Sequence, residues 1–227
     1  GRYGTKEMLE IFGEQKKVDY QLQIEAAAAL SQSEINLIPK SIAKDIARAA
    51  RSGKITAKRI KQLEAKSDHD TAALVESLAE RCKKESRPWI HYGLTSNDLV
   101  DTSNSMQMRD AIKVIQPKVG KLALLLSKNA VKYKVLPAVG RTHGQHASII
   151  SFGLKFANWA SEMATHLERL DEIKKRILIC KTLGVVGTGS LMGKDALRVQ
   201  ERVAKKLSLF PAKVTTQIIP RERYAEY

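Results

Sequence analysis

The sequence is poor in the residues that mark disulfide-linked, metal-binding and β-rich proteins. Only two cysteines occur among 227 residues, Cys82 and Cys180, and their spacing matches no metal-binding motif. We therefore expect reduced thiols in a cytoplasmic protein, and no metal site. Aromatic residues make up only 5% of the chain, so the core must be mainly aliphatic, which favours helices over a β-sandwich.

Long uncharged apolar runs are also missing, which argues against a membrane-spanning helix, and no signal peptide is visible. Charge is one-sided instead, with 39 basic against 24 acidic residues and a formal net charge of +15. Such a charge is found in proteins that bind nucleic acids or anionic ligands. The basic residues are scattered over predicted helices, however, which favours a solvated lysine-rich surface without a nucleic-acid or membrane partner.

Apolar residues recur at helical spacing along most of the chain, and no strand pattern of any length stands out. The clearest run, from Ile149 to about Lys181, contains no proline and predicts one long helix of the kind found in bundles. A second run, from Met106 to Tyr133, contains Pro117, which predicts a kink or break. We predict an all-α fold, with an N-terminal helical domain at residues 1–97 and long bundle helices at residues 98–227.

The most distinctive polar segment is GRTHGQHA, residues 140–147, which contains two of the five histidines and two glycines. The glycines permit a tight turn, and histidine exchanges protons near neutral pH. The segment is therefore a candidate catalytic site. A packed or surface histidine explains it equally well when the segment is taken alone.

Three other polar clusters stand out against the helical background. Arg2-Tyr3 could grip an anion, and Asp68-His69-Asp70 precedes a predicted helix, with Asp68 as its expected N-cap. The segment HYGLTSND, residues 91–98, places Thr95 and Ser96 where a long helix begins, which suits either a carboxylate site or a simple helix cap. The glycine-rich stretch 184–190 fails the phosphate-loop patterns and is interpreted as a flexible link between helices.

Together these segments resemble a known family. HYGLTSNDLVDT, GRTHGQHA, the DHD triplet, the opening RYGTKEM and the closing TTQIIPRERYAEY are similar to adenylosuccinate lyases of the fumarase/aspartase superfamily. The T-S-x-D and T-H-G-x-x-A elements are shared across the superfamily. The opening Arg-Tyr, the HD pair and the ending point more specifically to the adenylosuccinate branch.

The resemblance implies a fumarase/aspartase-type helical bundle and a cofactor-free C–N lyase of purine biosynthesis. Its members release fumarate by β-elimination, from adenylosuccinate to give AMP and from the succinylaminoimidazole carboxamide ribotide. It also implies a cytoplasmic homotetramer whose active sites are shared between subunits. The expected partner is therefore a succinyl-purine nucleotide together with further copies of the chain.

The resemblance also assigns roles to residues at matching positions. His143 resembles the general acid that protonates the departing nitrogen, and His69 resembles a second active-site histidine that assists it. The residues that match substrate-binding positions of the family are Arg2, Tyr3, Asp68, Asp70, Thr95, Ser96 and Gln217. His91 and Thr142 are further candidates for the same site.

Two departures from the family pattern matter. The serine loop G-S-S-x-M-P-x-K-x-N, which carries the family's base, is absent and would follow Tyr227. Because the chain also starts without Met and stops inside a predicted helix, we expect a piece of a longer protein, inactive alone. Ser-Ile-Ile-Ser follows Ala147, where bacterial members commonly have Glu-Pro-Thr-Thr.

Other functions remain open at this point. One is a sister lyase, of the argininosuccinate lyase or carboxymuconate cycloisomerase type, although the Arg-Tyr opening and the DHD triplet disfavour it. Another is a basic helical nucleic-acid-binding protein, which scattered charge disfavours. A scaffold that keeps the fold without the chemistry is a further alternative.

Overall fold

The computed structural model describes residues 2–227, and the chain is mainly helical, which confirms the all-α class. Its helices and short strands follow in chain order. They are α1 (Lys6–Ile11), α2 (Glu14–Glu34), α3 (Lys40–Ala50), α4 (Ala57–Ser67), α5 (Asp70–Ala79), α6 (Ser96–Lys132), β1 (Pro137–Thr142), β2 (Gln145–Ser151), α7 (Phe152–Ile177), β3 (Ile179–Cys180), α8 (Ala196–Leu207), β4 (Phe210–Pro211) and α9 (Glu222–Ala225). Two 3-10 helices, Lys84–Trp89 and Ser190–Asp195, complete the described elements.

The chain forms two compact units. The first comprises the residues up to Asp110 together with Lys175–Tyr227, and the second comprises Ala111–Lys174. Each unit is a set of residues that lie close together in space. The domains expected from the sequence, 1–97 and 98–227, stay a prediction. Within the described residues, no helix has the length and apolar character needed to cross a membrane.

Helix α2 lies at the centre of the first unit, between α3 and α8. Its residues 26–29 are consecutive alanines, and all four are buried. Four neighbours in sequence point to every side of a helix, so their burial shows that α2 is enclosed rather than one-sided. Small side chains let the neighbouring helices approach closely, and α3 contributes its own buried alanines, Ala43, Ala47 and Ala49.

A row of polar side chains on α6 is buried against the chain that follows α7. Asp98, Thr102 and Ser105 are spaced by four and three residues, so they share one face of the helix. The Thr102 hydroxyl donates to the Lys181 carbonyl at 3.0 Å and accepts from the Lys181 N–H at 3.1 Å. The Ser105 hydroxyl donates to the Ile177 carbonyl at 3.2 Å. These side chains form hydrogen bonds with backbone groups at and after the end of α7, where no further helical turn pairs with them.

Asp101, on the same helix, holds the end of the chain. Its Oδ2 accepts from the Ile219 N–H at 2.9 Å, and its Oδ1 accepts from the Arg221 guanidinium at 2.6 Å. The Tyr224 hydroxyl reaches the same Oδ1 at 3.3 Å. The carboxylate is fully buried, so these donors replace the water it loses.

One prediction about the long helices is wrong. The run from Ile149 to Lys181 does not begin as a helix, because residues 145–151 form β2, and α7 covers only Phe152–Ile177. Ile149 and Ile150 pair with Val139 and Ala138 of β1, and β-branched residues suit such strands. The break that Pro117 allowed for does not occur, because α6 runs for 37 residues through it, and a kink at this position stays a prediction.

Candidate functional site

The GRTHGQHA segment forms the tip of an antiparallel hairpin in the second unit. Thr142 pairs with Gln145, which leaves His143 and Gly144 as the two turn residues. Their φ angles are +53° and +72°, the positive values that type I′ hairpin turns require. The turn places His143 at the exposed tip, and among residues 2–227 its imidazole has no hydrogen-bond partner.

Gly140 is required in the hairpin for a different reason. A Cβ at this position would lie 2.9 Å from Cγ2 of Ile150 and 3.0 Å from the Ser148 carbonyl oxygen. The pairing register also shifts between Gly140 and Arg141.

A cleft lies beside Gly140, and its lining includes Arg141, Thr142, Ser148 and Lys155. Two cations and two hydroxyls suit this cleft to an anionic group.

His69 is the N-cap of α5, and the expected cap, Asp68, is not. Asp68 instead ends α4 in the left-handed conformation, with φ of +51°. The Nδ1 atom of His69 accepts from the Ala72 N–H at 3.2 Å. A neutral ring that accepts at Nδ1 carries its proton on Nε2, so His69 presents an N–H donor. Asp70 accepts from its neighbour, the Thr71 N–H, at 2.6 Å.

Arg2 and Tyr3 lie at the exposed start of the described chain. The Arg2 guanidinium carbon is 5.6 Å from the centre of the Tyr3 ring, and Tyr3 is 90% exposed. No hydrogen bond within the described residues joins either side chain to His69 or to α6. Both side chains are therefore accessible to a ligand.

The turn before α6 is organised by Asp98. The Thr95 N–H donates to Asp98 Oδ2 at 2.9 Å, which caps the first turn of the helix. The Gly184 N–H donates to the same oxygen at 2.9 Å, and the ammonium of Lys181 binds Oδ1. In the part of the chain that is described, the hydroxyls of Thr95 and Ser96 make no hydrogen bond. They remain available to a carboxylate.

His91 precedes the same turn and forms a buried pair with Glu25 of α2. Its Nδ1 lies 2.6 Å from Glu25 Oε1, and its backbone N–H donates to Oε2 at 3.0 Å. The side chain of Glu25 is only 2% exposed. His91 also has φ of +61°, an uncommon conformation for a residue with a side chain, which the two contacts to one carboxylate hold in place.

The glycine-rich stretch 184–190, predicted as a flexible link between helices, approaches other backbone segments closely. A Cβ on Gly184 would lie 3.2 Å from the carbonyl oxygen of Gly93. A Cβ on Gly187 would lie 2.6 Å from the Thr215 carbonyl oxygen and 2.5 Å from that of Thr216. The loop therefore contacts the segment that precedes α6 and the segment that contains Gln217.

Comparisons with known proteins show the family of the chain. The family described as Lyase matches residues 1–227. The chain is 42% identical over 226 residues to the adenylosuccinate lyase of Methanocaldococcus jannaschii, which covers all of the chain and 49% of that protein. It is 34% identical over 226 residues to the adenylosuccinate lyase of Thermotoga maritima, covering 51% of that protein. The chain belongs to the lyase family.

Solved structures agree with the fold of this lyase chain. A fumarate lyase from Mesorhizobium sp. BNC1 matches 96% of the chain and 51% of its own, with a TM-score of 0.90 and 30% identity. The carboxymuconate cycloisomerase from Acinetobacter calcoaceticus matches 98% of the chain and 52% of its own, with a TM-score of 0.91 and 30% identity. The chain spans about half the length of the curated relatives it matches.

Some of the predicted site residues of the lyase chain are brought together, and others are not. The Thr95-Ser96 turn and the segment containing Gln217 both contact the glycine loop, and His91 lies on the same turn. No hydrogen bond or ion pair in residues 2–227 ties His69 to this cluster. His143 and Thr142 belong to the second unit.

Lys181 and Glu25 are the members of this cluster that sequence reasoning missed, and Asp98 was recognised only as part of the T-S-x-D element. One signal was present for Lys181, which interrupts the apolar run Leu178–Cys180 and is followed by Leu183. A lysine in such a run must find an acidic partner when the run is buried. No comparable signal marks Glu25, which lies in a helix with many polar residues.

We predict that Gly187→Ala lowers stability more than Gly53→Ala does. Both glycines have similar positive φ angles, +77° and +69°, so each alanine incurs a left-handed cost of about 1–2 kcal/mol. A Cβ at position 53 meets nothing within 4 Å, whereas one at position 187 meets two carbonyl oxygens. Urea midpoints measure the difference, and equal midpoints would contradict the close approach of the loop.

We also predict that His91 makes stability depend on pH. Burial lowers the pKa of His91, but its hydrogen bond to Glu25 and the charge of that carboxylate outweigh burial and raise the pKa above the ordinary 6.5. A raised folded pKa adds stability that is complete below the unfolded pKa and is lost as pH rises through the folded value. The free energy of unfolding of the wild type should fall from pH 6.5 upward, and fall less in Glu25→Gln. Equal slopes in urea unfolding across this range would contradict the pairing.

Proposed function

We propose that the protein carrying this chain is a cytoplasmic adenylosuccinate lyase of purine biosynthesis. It eliminates fumarate from adenylosuccinate to give AMP, and from the succinylaminoimidazole carboxamide ribotide. The observation that carries the proposal is the cluster formed by the Thr95-Ser96 turn, the glycine loop and the Gln217 segment. It offers free hydroxyls and an amide to a dicarboxylate, and similarity to adenylosuccinate lyases supports the assignment.

The elimination places definite demands on this cluster. A base removes a C–H proton next to a carboxylate, and negative charge then accumulates on that carboxylate. Hydroxyl and N–H donors that are already in position stabilise this charge without reorganisation. Thr95 and Ser96 supply such donors at the start of α6, and Gln217 contacts the remaining part of the succinyl group.

The departing nitrogen must be protonated, and His143 is the proposed acid. Its ring is exposed at the tip of a hairpin whose turn fixes the backbone beneath it. An imidazole without a fixed partner is free to meet the leaving group and to give it a proton. Thr142, the preceding residue, and the adjoining cleft add donors beside it.

The other predicted residues hold the nucleotide. Arg2 and Tyr3 are exposed and suited to grip a phosphate, because guanidinium binds phosphate in a bidentate manner. His69 offers its Nε2–H to the substrate, since its Nδ1 accepts from the backbone of α5. Asp68 and Asp70 flank it and contact the substrate. His91, held by Glu25, keeps the turn before Thr95 in place.

We further propose that the active enzyme is a homotetramer with shared sites, and that the base lies outside this sequence. The half-length match to relatives supports the second point. Exposed apolar side chains on the long helices of the second unit support the proposed homotetramer. They include Leu122, Leu125, Leu154 and Trp159, which are 44–57% exposed. Soluble proteins rarely expose such sets unless another surface covers them.

The acid role is tested in the full-length protein with His143→Ala and its matched control, His146→Ala. His146 is also an exposed histidine of the hairpin, but it lies within β2 and pairs with Arg141 of β1. Loss of the acid should reduce turnover by about 10²–10⁴-fold, while the control stays near the wild type. Fumarate release is followed by absorbance, with circular dichroism as the check on folding. Near-normal turnover by His143→Ala would refute the role.

The purified 227-residue chain should not turn over adenylosuccinate, because the proposed base is absent from it. The same absorbance assay, run beside the full-length protein, measures this. Robust fumarate release from the short chain would show that the base lies within it.

A sister lyase is the second candidate, because the Acinetobacter cycloisomerase matches the chain at a TM-score of 0.91. An assay of adenylosuccinate, argininosuccinate and carboxymuconate side by side distinguishes the two candidate activities. Turnover of one of the latter two, without turnover of adenylosuccinate, would favour the sister activity.

A further inference from the structure

A single carboxylate connects the proposed carboxylate-binding turn to the glycine loop. Asp98 Oδ2 accepts from the Thr95 N–H and from the Gly184 N–H, each at 2.9 Å. These two residues lie 89 positions apart in the sequence, yet one oxygen atom holds both. The hydroxyls of Thr95 and Ser96 and the backbone of the loop thus depend on where this oxygen lies.

The position of Asp98 depends in turn on Lys181. The ammonium binds the other carboxylate oxygen, Oδ1, and also lies 3.5 Å from the Gly184 carbonyl oxygen. Both side chains of the pair are completely buried, with no exposed surface. Burial raises the pKa of Asp98, and the positive charge of Lys181 opposes that rise. Without its counter-ion, the carboxylate would take up a proton or draw in water.

A buried ion pair is a poor source of stability, because the cost of removing two charges from water offsets their attraction. Such a pair is better explained by what it orients. Here the pair orients two backbone N–H groups, one in the proposed binding turn and one in the glycine loop. Lys181 itself is fully enclosed and does not reach the surface.

We propose that Lys181 is a positioning residue, which holds the Asp98 carboxylate where it aligns the Thr95-Ser96 hydroxyls with the glycine loop for binding of the succinyl carboxylate. This inference rests on the proposed function. Lys181 touches no substrate, and its effect passes through Asp98. It therefore governs affinity for the dicarboxylate product, fumarate, and leaves affinity for AMP unchanged.

Lys181→Met in the full-length protein tests the proposal. Fumarate should bind about tenfold more weakly, the loss expected when hydrogen bonds to a charged ligand are misplaced, while AMP binding stays within about twofold. Hydrogen exchange of the Thr95 and Gly184 amides should accelerate, because their acceptor moves. Calorimetry measures both ligands, and exchange is read by mass spectrometry or NMR.

The double variant Asp98→Asn with Lys181→Met separates positioning from a direct role of the lysine. The carbonyl oxygen of the introduced amide can accept from both backbone N–H groups and needs no counter-ion, so fumarate affinity should return to within about threefold of the wild type. No recovery in a folded double variant would overturn the proposal. Wild-type fumarate affinity in Lys181→Met would overturn it as well.

If Lys181→Met does not fold, a second double variant, in which both buried charges are removed, tests the proposal. Asp98→Leu with Lys181→Met carries no buried charge but lacks the acceptor, so it should bind fumarate about tenfold more weakly than the double variant with Asp98→Asn. Equal affinities would overturn the proposal.

Asp45→Asn is the matched control, since Asp45 is a buried carboxylate that accepts from Arg48 and the Lys83 N–H elsewhere in the unit. It should leave fumarate binding unchanged.

Failure of the proposed function is distinguishable from failure of this inference. A wild-type protein that binds no fumarate would contradict both. A wild-type protein that binds fumarate, with variants that bind it equally well, would contradict the inference alone.

Discussion

The first unit depends on polar side chains that α6 buries against the last part of the chain. Asp98, Thr102 and Ser105 lie on one face and bind backbone groups of residues 177–184, which have no neighbouring helix turn to satisfy them. Unsatisfied buried backbone groups are costly, so these contacts specify one arrangement among many compact ones. The glycine loop and the Gln217 segment take their positions from that arrangement.

The same constraint explains why chemistry-bearing residues lie next to glycines. Gly184 and Gly187 allow backbone segments to approach more closely than a Cβ would permit without a shift. The Thr95-Ser96 turn can therefore lie beside the glycine loop, with the Thr95 and Gly184 N–H groups on one carboxylate oxygen. At the proposed site a carboxylate ligand would meet hydroxyls held in place by this backbone, which need little reorganisation when charge develops.

Much of the fold could be predicted from local signals. Thr56 caps α4 through the Arg59 N–H, as its position before an apolar-periodic run indicates. The hairpin at residues 137–151 could not be predicted from local signals, because Ile149 and Ile150 continue an apolar run that also suits a helix. The pairing with β1 decides between the two states, and that pairing is a non-local contact. The cap at α5 was misassigned for a related reason, since Asp68 and His69 can both cap, and only the φ of Asp68 shows which one does.

Residue types and their spacing were enough to establish the helical class, the motifs of the lyase family and the identities of most candidate site residues. They carry that information because they act locally. Only the packed chain shows that Glu25 holds His91 and that Lys181 meets Asp98 across 83 residues. Burial makes those partners obligatory, and which partner is near enough depends on the packing of helices that no local pattern encodes.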